Sequence, residues 1–234
     1  MYCVMAERLY GRPINKKDNP KERQMGKVLK LAPGYGMGGE KYVTTVRVQT
    51  KQKISLGQGK AAIKVYRAAH SMVLAFWERG EQALFAILKG EIGRPVDSRG
   101  IIVTCEGGLL MPNGMAIKYP ELQYHGKKNF DTEEVTGFTY FNGKSRVNIY
   151  GGKVVENIVQ ALARTIVLYQ CAAVKPWPWV MTSHDEGVWV VPEAEADTAK
   201  RVVTEALCMP LPWCIDLPLN CEVGYDQSYG RAKP

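Results

Sequence analysis

The rhythm of hydrophobic and polar positions changes twice along this chain. Up to about residue 100 the pattern is that of helices. From Ile101 to Tyr150 short apolar runs alternate with turn residues, and after Gly151 helical spacing returns with one more apolar hairpin. In the first stretch, "DNPKERQMGKVLKLAPGYGMGG" places Asn19 where an N-cap belongs, Pro20 at the first helical position and Glu22 at the third. It stops at Pro33-Gly34, so a helix with both ends marked is predicted. A second helix is predicted over about Gly59 to Lys89, with Tyr66, Val73, Phe76 and Trp77 forming a core stripe on or near one side. His70, inside it, reads as a packed or surface histidine rather than a ligand.

The middle of the chain carries "LLMPNGMAIKY" and "FTYFNGKSRVNIY", each with Asn-Gly between apolar runs, the strongest short-range signal for a β-hairpin. Next, "GGKVVENIVQALARTIVLYQ" sets Val155, Ile158, Leu162 and Ile166 at i, i+3, i+7 and i+11 of an amphipathic helix. On it Asn157, Gln160 and Arg164 make a separate polar stripe. "WPWVM" and "GVWVV" flank His184, Asp185 and Glu186, so a hairpin is predicted whose turn carries two carboxylates. "PEAEADTAKRVVTEALCMP" predicts a last helix with an acidic start, and "CIDLPLNCEVGYDQSYGRAKP" reads as a final strand with a Gly-rich end. The sum is an α+β chain, helical over 1–100 and sheet-containing over 101–234, with no flexible linker between the parts.

Composition narrows the class. A chain of 234 residues, 46% hydrophobic and 23% charged, has the material for one large or two small globular domains. The formal charge of +8 fits a polyanionic partner. The six cysteines form no CxxC pair and have no His at ligand spacing; they read as reduced, mostly buried thiols of a cytosolic protein rather than a zinc site. No signal peptide and no apolar stretch of membrane-spanning length is seen, which makes cytoplasm the default, or the host cytoplasm for a viral protein.

Three segments carry candidate chemistry. Adjacent carboxylates on a turn are usually just solvated, but hard cations such as Mg²⁺ also want carboxylate oxygens on a rigid support. Arg23, Lys27 and Lys30 fall at i, i+4 and i+7, so three cations share one helix face that ends in a Tyr among glycines. Such a face can hold phosphates while the aromatic stacks on a base. The amides and guanidinium of Asn157, Gln160 and Arg164 suit base edges or sugars in a groove. A phosphate-binding P-loop is excluded: Gly137 and Gly143 of "GFTYFNGKS" are one residue too far apart, and "SLGQGKAA" and "YGGKVV" lack the first Gly and the Ser/Thr after the Lys.

In this order the segments resemble family A (polymerase I-like) DNA polymerases, above all those of bacteriophages. The fingers-helix pattern stands here as Arg23, Lys27, Tyr35 and Gly36, the palm helix at the primer-template minor groove as the helix containing Gln160, and the second carboxylate motif as His184-Asp185-Glu186. "MYCVMAERLYGRP" and "EVGYDQSYGRAKP" extend the likeness to both ends. The resemblance implies helical fingers plus the antiparallel palm sheet of a polymerase right hand. It implies Asp185 as a metal ligand, Glu186 as an auxiliary carboxylate and His184 near the primer terminus. Arg23 and Lys27 would grip the incoming triphosphate, Tyr35 would stack by the templating base, and Gln160, Asn157, Arg164 and Gly36 would touch DNA.

Two departures shape the expectation. Leu31 stands where the family usually carries an aromatic against the incoming sugar, and no Asp here has the context of the family's first catalytic strand. With thumb and first catalytic strand absent, the resemblance implies an incomplete hand: the C-terminal subunit of a split template-directed DNA polymerase. It would use two Mg²⁺ ions, primer-template DNA, deoxynucleoside triphosphates and a second chain carrying the thumb and the first Asp. The contrasting expectation is a catalytically inactive, polymerase-derived DNA-binding or replisome-interaction module; a truncated product with no role of its own is the third.

Overall fold

In the computed structural model, which describes residues 1–126 and 137–232, helices occupy the chain up to Leu88 and short antiparallel strands appear from Val103 onward. The fold is mixed α+β, as the hydrophobic pattern predicts. The described residues divide into two compact units, Met1–Leu110 with Ala116–Asn157, and Met111–Met115 with Ile158–Pro234. None of the helices among the described residues is long and apolar enough to cross a membrane.

The first unit begins with α1 (Tyr2–Tyr10), α2 (Pro20–Leu31), α3 (Gly39–Thr50), α4 (Leu56–Ala69) and α5 (Ser71–Leu88). Met5 of α1, Met25, Val28 and Leu29 of α2, Tyr42 and Val46 of α3, and Ala62, Ile63 and Tyr66 of α4 meet in one core. The helix predicted over Gly59–Lys89 is therefore two helices. It starts earlier, at a capping box in which the Gln58 N–H donates to Ser55 Oγ (3.1 Å) and the Ser55 N–H donates to Gln58 Oε1 (2.8 Å). It breaks at His70, whose backbone (φ −135°, ψ 50°) leaves the helical region and caps both pieces. The imidazole Nδ1 lies 2.8 Å from the Tyr66 carbonyl, a side-chain bond that stands in for the next turn's amide. The apolar period runs on through the break, which hides it from pattern reading.

Both Asn-Gly signals hold. In the first sheet β1 (Val103–Cys105), β2 (Gly108–Leu110) and β3 (Ala116–Lys118) pair antiparallel, the Asn113-Gly114 loop joining β2 to β3. In the second, β4 (Gln123–Tyr124), β5 (Phe138–Phe141) and β6 (Arg146–Ile149) pair likewise, with Asn142-Gly143 between β5 and β6. Phe85 of α5 packs edge-on against Tyr124 and Phe138, at centroid distances of 4.9 and 4.7 Å.

Helix α6 (Gly151–Ala173) is the predicted amphipathic helix: Val155, Ile158 and Ile166 are buried. The boundary of the two units falls within it, between Asn157 and Ile158. The second unit adds the hairpin β7 (Trp179–Ser183) and β8 (Glu186–Trp189), then α7 (Ala196–Leu207). Val174, Trp177, Ala199 and Val203 form its main core. The final strand expected in the tail is absent among the described residues: Pro218 withholds a ladder N–H group and the segment runs as turns and irregular chain. Of the cysteines, Cys171 and Cys214 are buried and the other four half-buried, fewer buried than expected. Cys208 and Cys221 face each other at 3.8 Å between sulfurs, and burial with that neighbour pushes the Cys221 thiol up to about 11.

Candidate active site

Within the first unit, α2 starts where Pro20 predicts, but Asn19 does not cap it with its side chain. Its Oδ1 accepts instead from the Asn15 N–H (3.3 Å) in the preceding loop. The cationic face forms. The Arg23 guanidinium sits over the Tyr2 ring, 5.5 Å from the centroid, Lys27 is exposed, and Lys30 Nζ lies 2.7 Å from His70 Nε2. The next residue, Leu31, is 54% exposed, so an apolar side chain faces solvent beside the cations.

The end of α2 tightens into a 3-10 turn, Ala32–Tyr35, which Gly36 closes in the left-handed region at φ 85°. This turn is tied down from two elements. The Trp77 indole N–H of α5 donates to the Gly34 carbonyl (3.0 Å), and the Tyr150 hydroxyl donates to the Tyr35 carbonyl (3.2 Å). A Cβ at Gly36 would come within 3.0 Å of the Tyr150 ring, so glycine is needed for both backbone and contact. Beside the turn opens a cleft of about 420 Å³ lined by Tyr35, Gly36, Lys41, Tyr150, Lys153 and Glu156, among others. Lys153 Nζ pairs with Glu156 Oε2 at 2.7 Å, and that bond pushes the ammonium up, keeping it charged. A base-sized ring beside Tyr35 and a phosphate beside the lysines would suit such a lining.

Asn157, on the first unit's part of α6, turns partly inward: its Nδ2 donates to the Tyr119 hydroxyl at 3.3 Å. Burial pushes the Tyr119 phenol up to about 12, and the Asn157 bond opposes this. Asn157 thus has a packing role that the stripe of polar positions did not reveal.

In the second unit the hairpin pairs Thr182 with Gly187 and Ser183 with Glu186, leaving His184-Asp185 as a two-residue turn. His184 has φ 54°, as the primed turns that match strand twist require at their first central residue. The turn therefore carries one carboxylate, the exposed Asp185, while Glu186 is half-buried as the first residue of β8. The two-residue loop places it there because Ser183 must have a ladder partner. Arg164 of α6 reaches Thr182 Oγ1 at 3.4 Å, which brings the polar side of α6 to the hairpin carrying Asp185; Gln160 is exposed on the same helix. Asp185 and Glu186 offer the hard oxygens that Mg²⁺ prefers. Among the described residues, however, no three His, Cys, Asp or Glu side chains gather as a metal cage, so these carboxylates suit a contributing ligand rather than a whole site.

Of the residues singled out in the sequence, Arg23, Lys27, Leu31, Tyr35, Gly36 and Asn157 lie in the first unit. Gln160, Arg164, His184, Asp185 and Glu186 lie in the second. The structure brings Tyr35 and Gly36 to one cleft, and Arg164 to the hairpin. Sequence reading missed Lys41, Tyr150 and Lys153 as cleft residues. The signal for Tyr150 and Lys153 stood in "YGGKVVE", which matters as the close-packed start of α6 and not as a phosphate loop.

No family model matches the chain. It is similar to a DNA polymerase of Bacillus phage SP02, with 30% identity over 241 residues that cover 95% of this chain. The chain spans about a third (35%) of that polymerase's length. A match through nearly the whole of both units supports a relationship between this chain and DNA polymerases of phage type.

Proposed function

We propose that the chain is the nucleotide-adding portion of a template-directed DNA polymerase of family A type, working with a second polypeptide. The observation that carries this reading is the end-to-end similarity to a phage DNA polymerase, combined with a cationic α2 that ends at a pinned Tyr35-Gly36 turn. Arg23 and Lys27 hold the triphosphate through charge-assisted hydrogen bonds that strengthen as charge builds on the leaving pyrophosphate. Tyr35 offers its ring to the templating base, and Gly36 lets the backbone turn tightly beside it. Gln160 and Arg164 contact the primer-template, the first at base edges or sugars and the second at a phosphate.

Asp185 contributes a carboxylate to the Mg²⁺ site, Glu186 supports it and His184 stands by the primer terminus. Bound Mg²⁺ supplies electrostatic stabilisation of the attacking and leaving oxygens. The remaining carboxylates come from the second polypeptide, together with the thumb. A catalytically inactive DNA-binding module is the second reading, favoured by the absence of a complete acidic cluster among the described residues.

The deciding measurement is primer extension by the assembled protein. Asp185→Ala should lower incorporation by more than the roughly 10- to 100-fold that loss of an outer-shell partner of a metal costs, while primer-template affinity stays near wild type. Full turnover in that variant removes Asp185 from the chemistry. A wild-type assembly that binds primer-template but never extends it supports the inactive module.

A further inference from the structure

Lys30 is the third cation on the face of α2 that carries Arg23 and Lys27, and its ammonium has an unusual partner. Its Nζ lies 2.7 Å from His70 Nε2, and the opposite ring nitrogen, Nδ1, lies 2.8 Å from the Tyr66 carbonyl oxygen. The imidazole also stacks on the Tyr66 ring, 4.2 Å between centroids and 18° between planes. All of these residues are half-buried or buried, and all belong to the first unit.

The partners dictate the protonation state. A carbonyl oxygen only accepts, so Nδ1 carries the proton and donates to Tyr66. An ammonium carries donors and no acceptor, so Lys30 is the donor and Nε2 offers it a lone pair. His70 is therefore neutral, in its Nδ1–H tautomer, with stacking and the Tyr66 bond fixing the ring. The bond places no counter-charge on Lys30, in contrast to Lys153, which is paired with Glu156. The lysine chain is restrained while its full positive charge stays open to an anion.

We propose that His70 is a positioning residue for triphosphate binding: it fixes Lys30 as a third phosphate-facing cation beside Arg23 and Lys27. The proposal rests on the nucleotide reading of α2. A flexible lysine loses rotamer freedom when it grips a phosphate, and a lysine already held by a neutral acceptor has lost part of it beforehand. That acceptor stands at the break between α4 and α5, where the His70 ring meets both Tyr66 and Lys30 of α2.

The test is nucleotide titration of primer extension by the assembled protein, with long-range ¹⁵N–¹H spectra of the full chain, which has only three histidines to assign. His70→Phe keeps a ring for stacking on Tyr66 and removes the acceptor. It should raise KM for the nucleotide about 2- to 10-fold with kcat changed less than about twofold, the cost of the rotamer freedom that Lys30 must then lose on binding. Lys30→Ala should cost at least as much, the double variant should be no worse than Lys30→Ala alone, and His70→Gln, whose amide oxygen can accept from Lys30, should recover most of the affinity. The spectra should show a proton on Nδ1 and none on Nε2. A His70→Phe variant with unchanged or lower KM overturns the proposal, the latter meaning that His70 draws Lys30 away; so does a protonated Nε2. Lys27→Ala separates the two claims: if it raises KM while His70→Phe does not, only the role of His70 falls, and if neither changes KM the nucleotide reading of α2 falls as well.

Discussion

Arg23 and Lys27 differ in how much each is committed to the fold, and their variants should differ accordingly. Arg23 lies over the Tyr2 ring, a cation–π contact that ties α2 to α1 and adds about 0.5–1 kcal/mol at a partly exposed site. Lys27 is exposed and shows no ion pair among the described residues. Lys27→Ala should therefore leave thermal stability within about ±0.5 kcal/mol and raise nucleotide KM roughly 10- to 100-fold, the range for removing a hydrogen bond to a charged group. Arg23→Ala should raise KM similarly and also lower stability slightly, because its packing goes with its charge. Thermal melts beside nucleotide titrations check both; normal nucleotide dependence in both variants would mean that this face is merely solvated. The spacing of Arg23, Lys27 and Lys30 was legible in the sequence because it needs only the helical period. That Lys30 meets His70, forty residues away, was not, since nothing local to either residue encodes the contact.

At the scale of elements, the start of α6 holds the cleft together. The Gly151 N–H donates to the Glu81 carboxylate at 2.7 Å, placing an acid at a helix N-terminus where the dipole favours it. A Cβ on Gly151 would run into the Trp77 carbonyl oxygen, which is backbone and cannot swing aside. Gly151→Ala should thus push α6 from α5 and cost about 1–3 kcal/mol, as forced overpacking does. It should also loosen the Tyr35-Gly36 turn, since Tyr150 and Gly152 both abut it. The measurement is a denaturant melt; a loss below about 0.5 kcal/mol would show that the two helices part easily. Elements marked by their own residues were readable in advance: α2 by Asn19, Pro20 and Glu22, and the β2–β3 and β5–β6 hairpins by Asn-Gly. The joint at His70 was not, because apolar spacing continues across it. The tail was misread because apolar residues between prolines look like strand until a ladder partner is sought. Glu186 was placed in a turn because adjacent charges resemble one; only the Ser183–Glu186 pairing shows that the loop has just two residues.

At the scale of the molecule, the hairpin carrying Asp185 is, among the described residues, a two-stranded sheet of β7 and β8. Trp189 of β8 packs on the core of its unit, but no further described strand pairs with either edge, and an open edge can receive another strand. Trp179, Val180 and Met181 of β7 are 37%, 55% and 41% exposed, consecutive positions of one strand that a neighbouring strand would cover. Around Asp185, at the tip, the described residues also form no cluster of three His, Cys, Asp or Glu, which its proposed metal role would need. One addition would meet all three needs: a strand from a second polypeptide that pairs with this hairpin and brings its own Asp. The chain by itself should then be inactive and prone to self-associate through the exposed edge. Co-expression with a polypeptide containing the thumb and an Asp-bearing palm strand should yield a 1:1 complex by gel filtration that extends primers, with an apolar joint of the size seen in obligate complexes, about 2,000 Å² or more. Charged substitution on the strand, Val180→Lys, should prevent that assembly without unfolding the chain, because Val180 is already exposed. A 234-residue chain that stays monomeric and extends primers unaided would refute the need for a partner, and a Val180→Lys variant that still assembles would place the joint elsewhere.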